Sequence, residues 1–451
     1  MAYDGGPRRL PYCVLVSVRN CMYPWHWMII THEGEVLPCG HGSKPVGDLR
    51  THTADEIWNG PVMQQLRASL FVGRVHAVCR STDCPYQQKH LAFTPTEERP
   101  VMNEELAECF DDEWYLAQHA DVREVVARRQ FASGLEHYAR HGCAEGRTYR
   151  LTSRTKNPAS ASTANAALAL LEYTSGAIVL RSRPVDLVLQ VSTICNLHCV
   201  MCPHGMHAVE HPNHMPLALL ECVRHFIATA ARMIVSGLGE PMLAPAFWRL
   251  VDDCAGREEV FIRANSNALL VTPDRARRLM HSGLKEISFS FDAATPATYA
   301  RIRGADFANA RRGVETMCAA RRAHPRRSLE VFMNMTLMAE NIAEAPRFVE
   351  IAAEIGVDAV LFSQLFPFGK QPSWRVERGD WAFVYSQQML NLVPEQATEH
   401  LDRARTVGET LGMSIVFQST THAYLSPQTE RGGAMADSAI TPSPLQPVSV
   451  G

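Results

Sequence analysis

From Val185 onward the chain repeats one pattern: a short run rich in branched and aromatic apolar residues followed by an amphipathic stretch with helical spacing. The runs 185–191, 232–239, 259–266, 285–292, 329–338 and 358–365 read as buried strands, and 216–230, 245–256, 272–283, 307–324 and 342–356 read as the helices between them. Apolar strands alternating with helices demand a parallel sheet covered on both faces. Six such units fall short of the eight that close a barrel. The expected fold class is therefore α/β, a partial (β/α)6 TIM-type barrel over residues 184–417.

A chain of 451 residues has room for more than this, at about 100–200 residues per domain. Residues 11–92 mix short strands, loops and one helix near 54–70, the pattern of a small α+β domain. Residues 100–150 read as a short helical module. Residues 151–183 read as a linker, polar and rich in small residues at their start, and 418–451 as a disordered tail. Apolar residues at 46% and charged residues at 20% exclude a wholly disordered chain. A net charge of −3 gives no bulk attraction for nucleic acid or anionic lipid. No uncharged apolar run reaches the ~18 residues of a membrane span, and residues 1–13 lack the apolar core of a secretory signal. A cytoplasmic protein is expected, in which the 13 cysteines are thiols or metal ligands rather than a disulfide framework.

Three of those cysteines stand together. Cys195, Cys199 and Cys202 follow directly after the first barrel strand, at the end where such folds gather their functional groups. Three thiolates on one loop can hold three irons of a cubane and leave the fourth open to a ligand. A zinc site would need a further ligand, and no fourth cysteine follows in the loop.

This C-x3-C-x2-C loop resembles that of the radical S-adenosylmethionine enzymes, and motifs at later strand ends agree. Gly237-Leu238-Gly239-Glu240-Pro241 is similar to the family's glycine–glutamate motif. Asn265-Ser266-Asn267 lies where an Asn-Gly pair is common, with Ala268 in place of the glycine. Ser290-Phe291-Asp292, with Tyr299 and Arg303-Gly304, is similar to its Ser-x-Asp…Tyr…Arg-Gly run. Asn341 and Gln364 also fall at family-like places. The resemblance implies a [4Fe–4S] cluster on the three cysteines and S-adenosyl-L-methionine held by Gly239, Glu240, Asn267, Ser290 and Arg303. It implies reductive cleavage to a 5′-deoxyadenosyl radical and a flavodoxin- or ferredoxin-like electron donor. The alternative is an inactive, metal-stabilised scaffold or binding protein.

Cys21, Gly34 and Cys39 in C-x12-G-x4-C spacing, then Cys79 and Cys84, form a second pattern. It resembles a SPASM-type auxiliary iron–sulfur domain, which normally follows the barrel rather than preceding it. The resemblance implies a second [4Fe–4S] cluster; four cysteines in two pairs also suit zinc. The helical module, with Trp114, Tyr115, His137, Tyr138 and His141, resembles one found beside bacterial glycosyltransferases. It points to a sugar substrate, and the SPASM resemblance to a peptide. Cys222, Cys254 and Cys318 are candidate hydrogen donors for an epimerase, or small hydrophobes.

Overall fold

In a computed structural model of the protein, residues 21–40, 44–71, 74–79, 110–142, 145, 147–149, 161–324, 329–365 and 373–417 are described. Cys84 and the expected tail lie outside them. The chain forms two compact units, residues 1–193, 213–239 and 244–262 against residues 194–212, 240–243 and 263–451.

In the first unit, β1 (Trp27–Ile30) and β2 (Glu35–Leu37) form a hairpin extended by β3 (Gly47–Asp48). Gly34 turns that hairpin at a φ of 94°, a backbone state that favours glycine. The other edge of β1 pairs in parallel with β4 (Asp186–Leu189), and β4 with β5 (Arg232–Val235). The cysteine-bearing N-terminal segment thus joins the sheet of the first barrel strand. Buried polar side chains fix the junction. Trp25 donates its indole N–H to the Ala177 carbonyl at 2.7 Å, and Trp58 donates to Ser182 at 2.8 Å. Arg67, fully buried on the helix Pro61–Phe71, donates to the carbonyls of Pro24, Trp58 and Ile178 at 2.8–3.0 Å. Its guanidinium lies 4.5 Å from the Trp58 ring centroid, and burial pulls its pKa down to about 9.

The expected linker is a structural element. Residues Ala161–Ser175 form a helix. Its Ala167 and Leu171 pack into one core with Phe110, Tyr115, Val122, Leu135 and Tyr138 of the helical module. Alanine and leucine are strong helix formers, and here they have an apolar surface to bury. The helix's polar residues are equally engaged. Asn165 exchanges hydrogen bonds with the Arg183 backbone, and the buried Glu172 accepts from the Arg181 and Ser182 amides. Small and polar composition suggested a flexible connector, but each polar group lies opposite a backbone group that needs it. In the module, His137 receives or gives a 3.1 Å hydrogen bond with the Tyr115 hydroxyl inside the core.

In the second unit, β6 (Phe261–Ser266), β7 (Glu286–Ser290), β8 (Glu330–Leu337) and β9 (Ala359–Gln364) run parallel in sequential order, and β12 (Ser414–Phe417) pairs parallel with β9. Between them β10 (Arg375–Arg378) and β11 (Trp381–Val384) make a separate hairpin. Helices alternate with the strands and are capped as their sequences dictate. Thr272, Thr295 and Asp306 each accept an amide hydrogen at an N-terminus, while Gly304, Gly356 and Gly412 end helices at positive φ. From Asp186 the chain supplies the six parallel strands of the expected α/β alternation. Strand β12 and the β10–β11 hairpin were not legible beforehand. Among the described residues no helix is long and apolar enough to cross a membrane.

Replacing Arg67 by methionine keeps the volume but strands three carbonyls, and the two in buried hydrogen bonds, those of Pro24 and Trp58, are worth about 1–3 kcal/mol each. The expected result is a lower urea midpoint by at least about 2 kcal/mol in stability, with the far-ultraviolet spectrum of the native state retained.

Candidate cluster and cofactor site

The chain leaves β4 through Gln190 to Thr193 and enters a tight loop in the second unit. Cys202 donates its amide to the Cys199 carbonyl at 3.0 Å, and Gly205 donates to the Cys202 carbonyl at 2.8 Å. A Cβ on Gly205 would lie 2.2 Å from the Cys199 carbonyl oxygen, so only glycine closes this turn. Val200 donates to the Ile302 carbonyl at 3.0 Å, which holds the loop on the helix Pro296–Arg303. From the β10–β11 hairpin, Arg378 donates to the His198 carbonyl and, at 2.9 Å each, to the carbonyls of Ala300 and Arg301. Sequence reasoning missed Arg378; nothing in its local pattern separates it from other arginines.

Cys199 is buried and Cys195 and Cys202 are half-buried. Burial pushes the Cys195 thiol up and the Cys202 thiol up to about 11, with neighbouring sulfurs adding to both shifts. Thiols so placed stay protonated until a cation displaces the protons. The set contains sulfur alone, the donor that iron–sulfur clusters use. Among the described residues no three His, Cys, Asp or Glu side chains converge as ligands of one ion would. A cubane asks for something different, because each thiolate takes its own iron. The loop fits that demand.

Around it, three of the expected residues are drawn together. Arg303 is buried, with Nη1 3.2 Å from Cys199 Sγ and Nη2 2.8 Å from Asp292 Oδ2. Asp292 adopts a φ of 61° and accepts the Thr336 amide at 2.6 Å on its other oxygen. The Asp292 carbonyl accepts from Asn341 at 2.9 Å, which gives that asparagine a backbone-supporting task. Asn267 donates to Asn196 Oδ1 at 2.8 Å and lies 4.0 Å from Cys195 Sγ.

Glu240 is almost wholly buried, and its carboxylate is committed. One oxygen accepts from Ser266 at 2.9 Å and the Met242 amide at 3.1 Å, the other from the Asn267 amide at 2.8 Å. Burial raises its pKa, while those three donors oppose the rise. Its side chain therefore ties the glycine–glutamate loop to the end of β6. Gly239, in the first unit, donates to the Ser192 carbonyl at 3.0 Å. Ser290 closes β7 half-exposed, level with Asn334 of β8. Ala268 adopts the left-handed conformation, φ 68°, that glycine would take more easily. Gln364 ends β9.

In the first unit, Cys21 precedes β1, and Cys39 lies two residues past β2, which the antiparallel register carries back toward the start of β1. A 3.2 Å bond from the Lys44 amide to the Val78 carbonyl brings the approach to Cys79 against the segment following Cys39. All three cysteines are half-buried. Cys254, directly after the helix Pro245–Asp253, and Cys318, on the helix Phe307–Ala323, are buried, and Cys222 is exposed.

Residues 189–363 match the model of the radical SAM superfamily, and residues 21–85 match that of SPASM, an iron–sulfur cluster-binding domain. The chain contains a radical SAM domain and a SPASM domain. The radical SAM domain implies a [4Fe–4S] cluster and S-adenosylmethionine, and the SPASM domain implies auxiliary iron–sulfur clusters. The chain is 28% identical over 192 residues to the mycofactocin maturase MftC of Mycobacterium tuberculosis, 42% of this chain and 46% of that protein. It is 29% identical over 195 residues to the GTP 3′,8-cyclase of Pelotomaculum thermopropionicum, 42% of this chain and 58% of the cyclase. It is 25% identical over 258 residues to the PqqA peptide cyclase of Gluconobacter oxydans, 57% of this chain and 67% of the cyclase. The chain thus spans about half the length of the maturase it matches. A solved structure of Streptococcus suis SuiB superposes with a TM-score of 0.44 at 13% identity, covering 71% of this chain and 67% of that one.

Iron counting separates the two centres. The triple variant Cys195→Ala, Cys199→Ala, Cys202→Ala is expected to lose about four irons per chain after anaerobic reconstitution and to keep those of the N-terminal segment. Cys39→Ala is expected to show the converse loss, and unchanged iron with lost zinc would identify the N-terminal centre as zinc.

Proposed function

We propose that this protein is a radical SAM enzyme that modifies a peptide. The observation that carries the reading is the all-sulfur loop of Cys195, Cys199 and Cys202, with Arg303 against its buried sulfur and Asn267 beside another. Three thiolates leave one iron of a cubane for the amine and carboxylate of S-adenosylmethionine. When bound, that pair supplies one-electron cleavage of a carbon–sulfur bond, giving methionine and a 5′-deoxyadenosyl radical that abstracts hydrogen from the substrate.

The chain's own residues position and seclude. Gly205 and Arg378 hold the cysteine loop shut against the helix Pro296–Arg303. Glu240 fixes the glycine–glutamate loop, so its backbone is set for the methionine amino group. Ser290, half-exposed at the end of β7, is placed to hydrogen-bond the ribose. Burial around the sulfurs limits access of solvent-borne oxidants and stray hydrogen donors to the reacting atoms.

A peptide substrate is favoured over a sugar on two grounds. Among the relatives is one named as a peptide cyclase, alongside a mycofactocin maturase. The helical module, which suggested a glycan, uses Phe110, Tyr115 and Tyr138 in its own core. The sugar reading came from the module's resemblance to one found beside bacterial glycosyltransferases.

Reconstituted protein given dithionite and S-adenosylmethionine is expected to release 5′-deoxyadenosine, and Cys199→Ala to release none above background. A peptide encoded beside this chain's gene should gain or lose mass only in the presence of both reagents. Cleavage that survives Cys199→Ala would overturn the assignment, and a colourless zinc protein without turnover would make it a scaffold.

A further inference from the structure

Arg303 is expected from the family motif to hold the carboxylate of S-adenosylmethionine, yet the structure commits it elsewhere. Its Nη1 lies 3.2 Å from Cys199 Sγ, and its Nη2 lies 2.8 Å from Asp292 Oδ2. All of this chain of contacts is buried, at 6% exposure for Cys199, 7% for Arg303 and 1% for Asp292. The geometry is held from behind. Asp292 is locked by the Thr336 amide on its second oxygen and by Asn341 on its carbonyl. Gly304 ends the helix directly after Arg303 at a φ of 71°, and Val200, next to Cys199, is tied to Ile302, next to Arg303. The guanidinium and the sulfur are thus set face to face by backbone on both sides.

We infer that Arg303 sets the reduction potential of the cluster through an N–H···S bond to the Cys199 sulfur, with Asp292 as the group that aims it. The inference rests on the reading of Cys199 as a cluster ligand. Hydrogen bonds to cluster sulfurs and local charge are among the levers that tune such potentials, and outer groups that orient ligands are the usual carriers of this effect. A positive charge held against a cluster sulfur, away from solvent, stabilises the state that has accepted an electron more than the state that has not. Reduction is the entry of one electron from an external donor, with no bond made or broken at Arg303. The residue therefore acts by raising the potential and takes no part in the chemistry of the substrate.

The burial of Asp292 limits how far this effect goes. Its carboxylate offsets part of the guanidinium charge, yet it also removes the rotamer freedom of a long side chain. Arg378 donates to the His198 carbonyl in the same loop, but through backbone rather than to a sulfur. Arg303 donates a hydrogen bond to one of the three sulfurs, whereas Arg378 acts on Cys199 through its charge.

The test is an anaerobic redox titration of the reconstituted full chain with dithionite, followed by electron paramagnetic resonance and run without S-adenosylmethionine. The signal followed is the one that S-adenosylmethionine perturbs when added afterwards, which separates this cluster from the N-terminal centre. Arg303→Met is expected to lower the midpoint by at least a tenfold change in the reduction equilibrium, about 59 mV for one electron, with iron content unchanged. Arg303→Lys, which keeps the charge, is expected to recover part of the shift. If Arg303→Met fails to take up iron, Arg303→Gln, neutral but still a donor, carries the same expectation of a lowered midpoint. An unshifted midpoint with weakened S-adenosylmethionine binding would show a cofactor contact and overturn the inference. Loss of iron in the methionine, glutamine and lysine variants alike would show a purely structural role and overturn it equally. A wild-type protein without the S-adenosylmethionine-sensitive signal would overturn the cluster assignment itself, an outcome distinct from an unshifted variant.

Discussion

Three sulfurs withdrawn from water in one short loop are the constraint around which the second unit is organised. As thiols they are tolerable; as thiolates they need positive charge close by, because the desolvation that raises Cys195 and Cys202 penalises the anion. Iron supplies most of that charge once bound. The protein contributes a guanidinium at 3.2 Å and a loop whose carbonyls are already satisfied by Arg378 and by the loop's own amides. Loop closure is settled before metal arrives, so iron need only displace protons rather than order the chain.

Around this loop the strand-end motifs act through one another more than through a ligand. Glu240 reads in sequence as a group presented to the amine of S-adenosylmethionine, but its two oxygens accept from Ser266, Met242 and Asn267. Its task is to bind the end of one strand to the end of the next, and Asn267 is thereby turned toward Cys195. Asp292 plays the matching part at the following strand, fixing Arg303 toward Cys199. A charged residue spent on positioning keeps water from competing for the backbone donors it covers. Ser290, at the end of β7, keeps its side chain half-exposed.

The alternation of strands and helices from Val185 was legible because a strand buried on both faces must be apolar throughout, while a helix need be apolar on one side. The cysteine loop was legible because spacing and position after a strand are local facts. What stayed hidden depends on pairing across distance. Arg67 gives no local sign that three carbonyls from separate segments will surround it. Residues 161–175 looked like a connector because alanine and polar groups are read as exposed unless their counterparts are known; Glu172 and Asn165 turned out to face backbone groups of residues 181–183. Ala268 shows the opposite limit. The sequence departs there from the glycine the family prefers, yet the backbone still takes the left-handed turn, and Gly313 makes room for its carbonyl.

The placement of the N-terminal segment follows from the same physics of edges. A barrel that stops at six strands leaves its first strand, β4, with a row of unpaired amides and carbonyls. In this chain β1 covers that edge in parallel register, from Trp27 opposite Asp186 to Ile30 opposite Leu189. A SPASM segment that follows a barrel in sequence would reach such an edge by a long return connection. One that precedes it reaches the edge directly, and the helix 161–175 with its polar contacts to residues 181–183 guides the chain into β4. The N-terminal order therefore has a structural consequence independent of any cluster. Cys39 is carried back beside the start of β1, toward the Asp186 end of β4, while the chain leaves β4 at its other end for the cysteine loop. Bracing the strand that delivers Cys195 is a role the segment performs through hydrogen bonds alone, and metal on its cysteines would stiffen the brace.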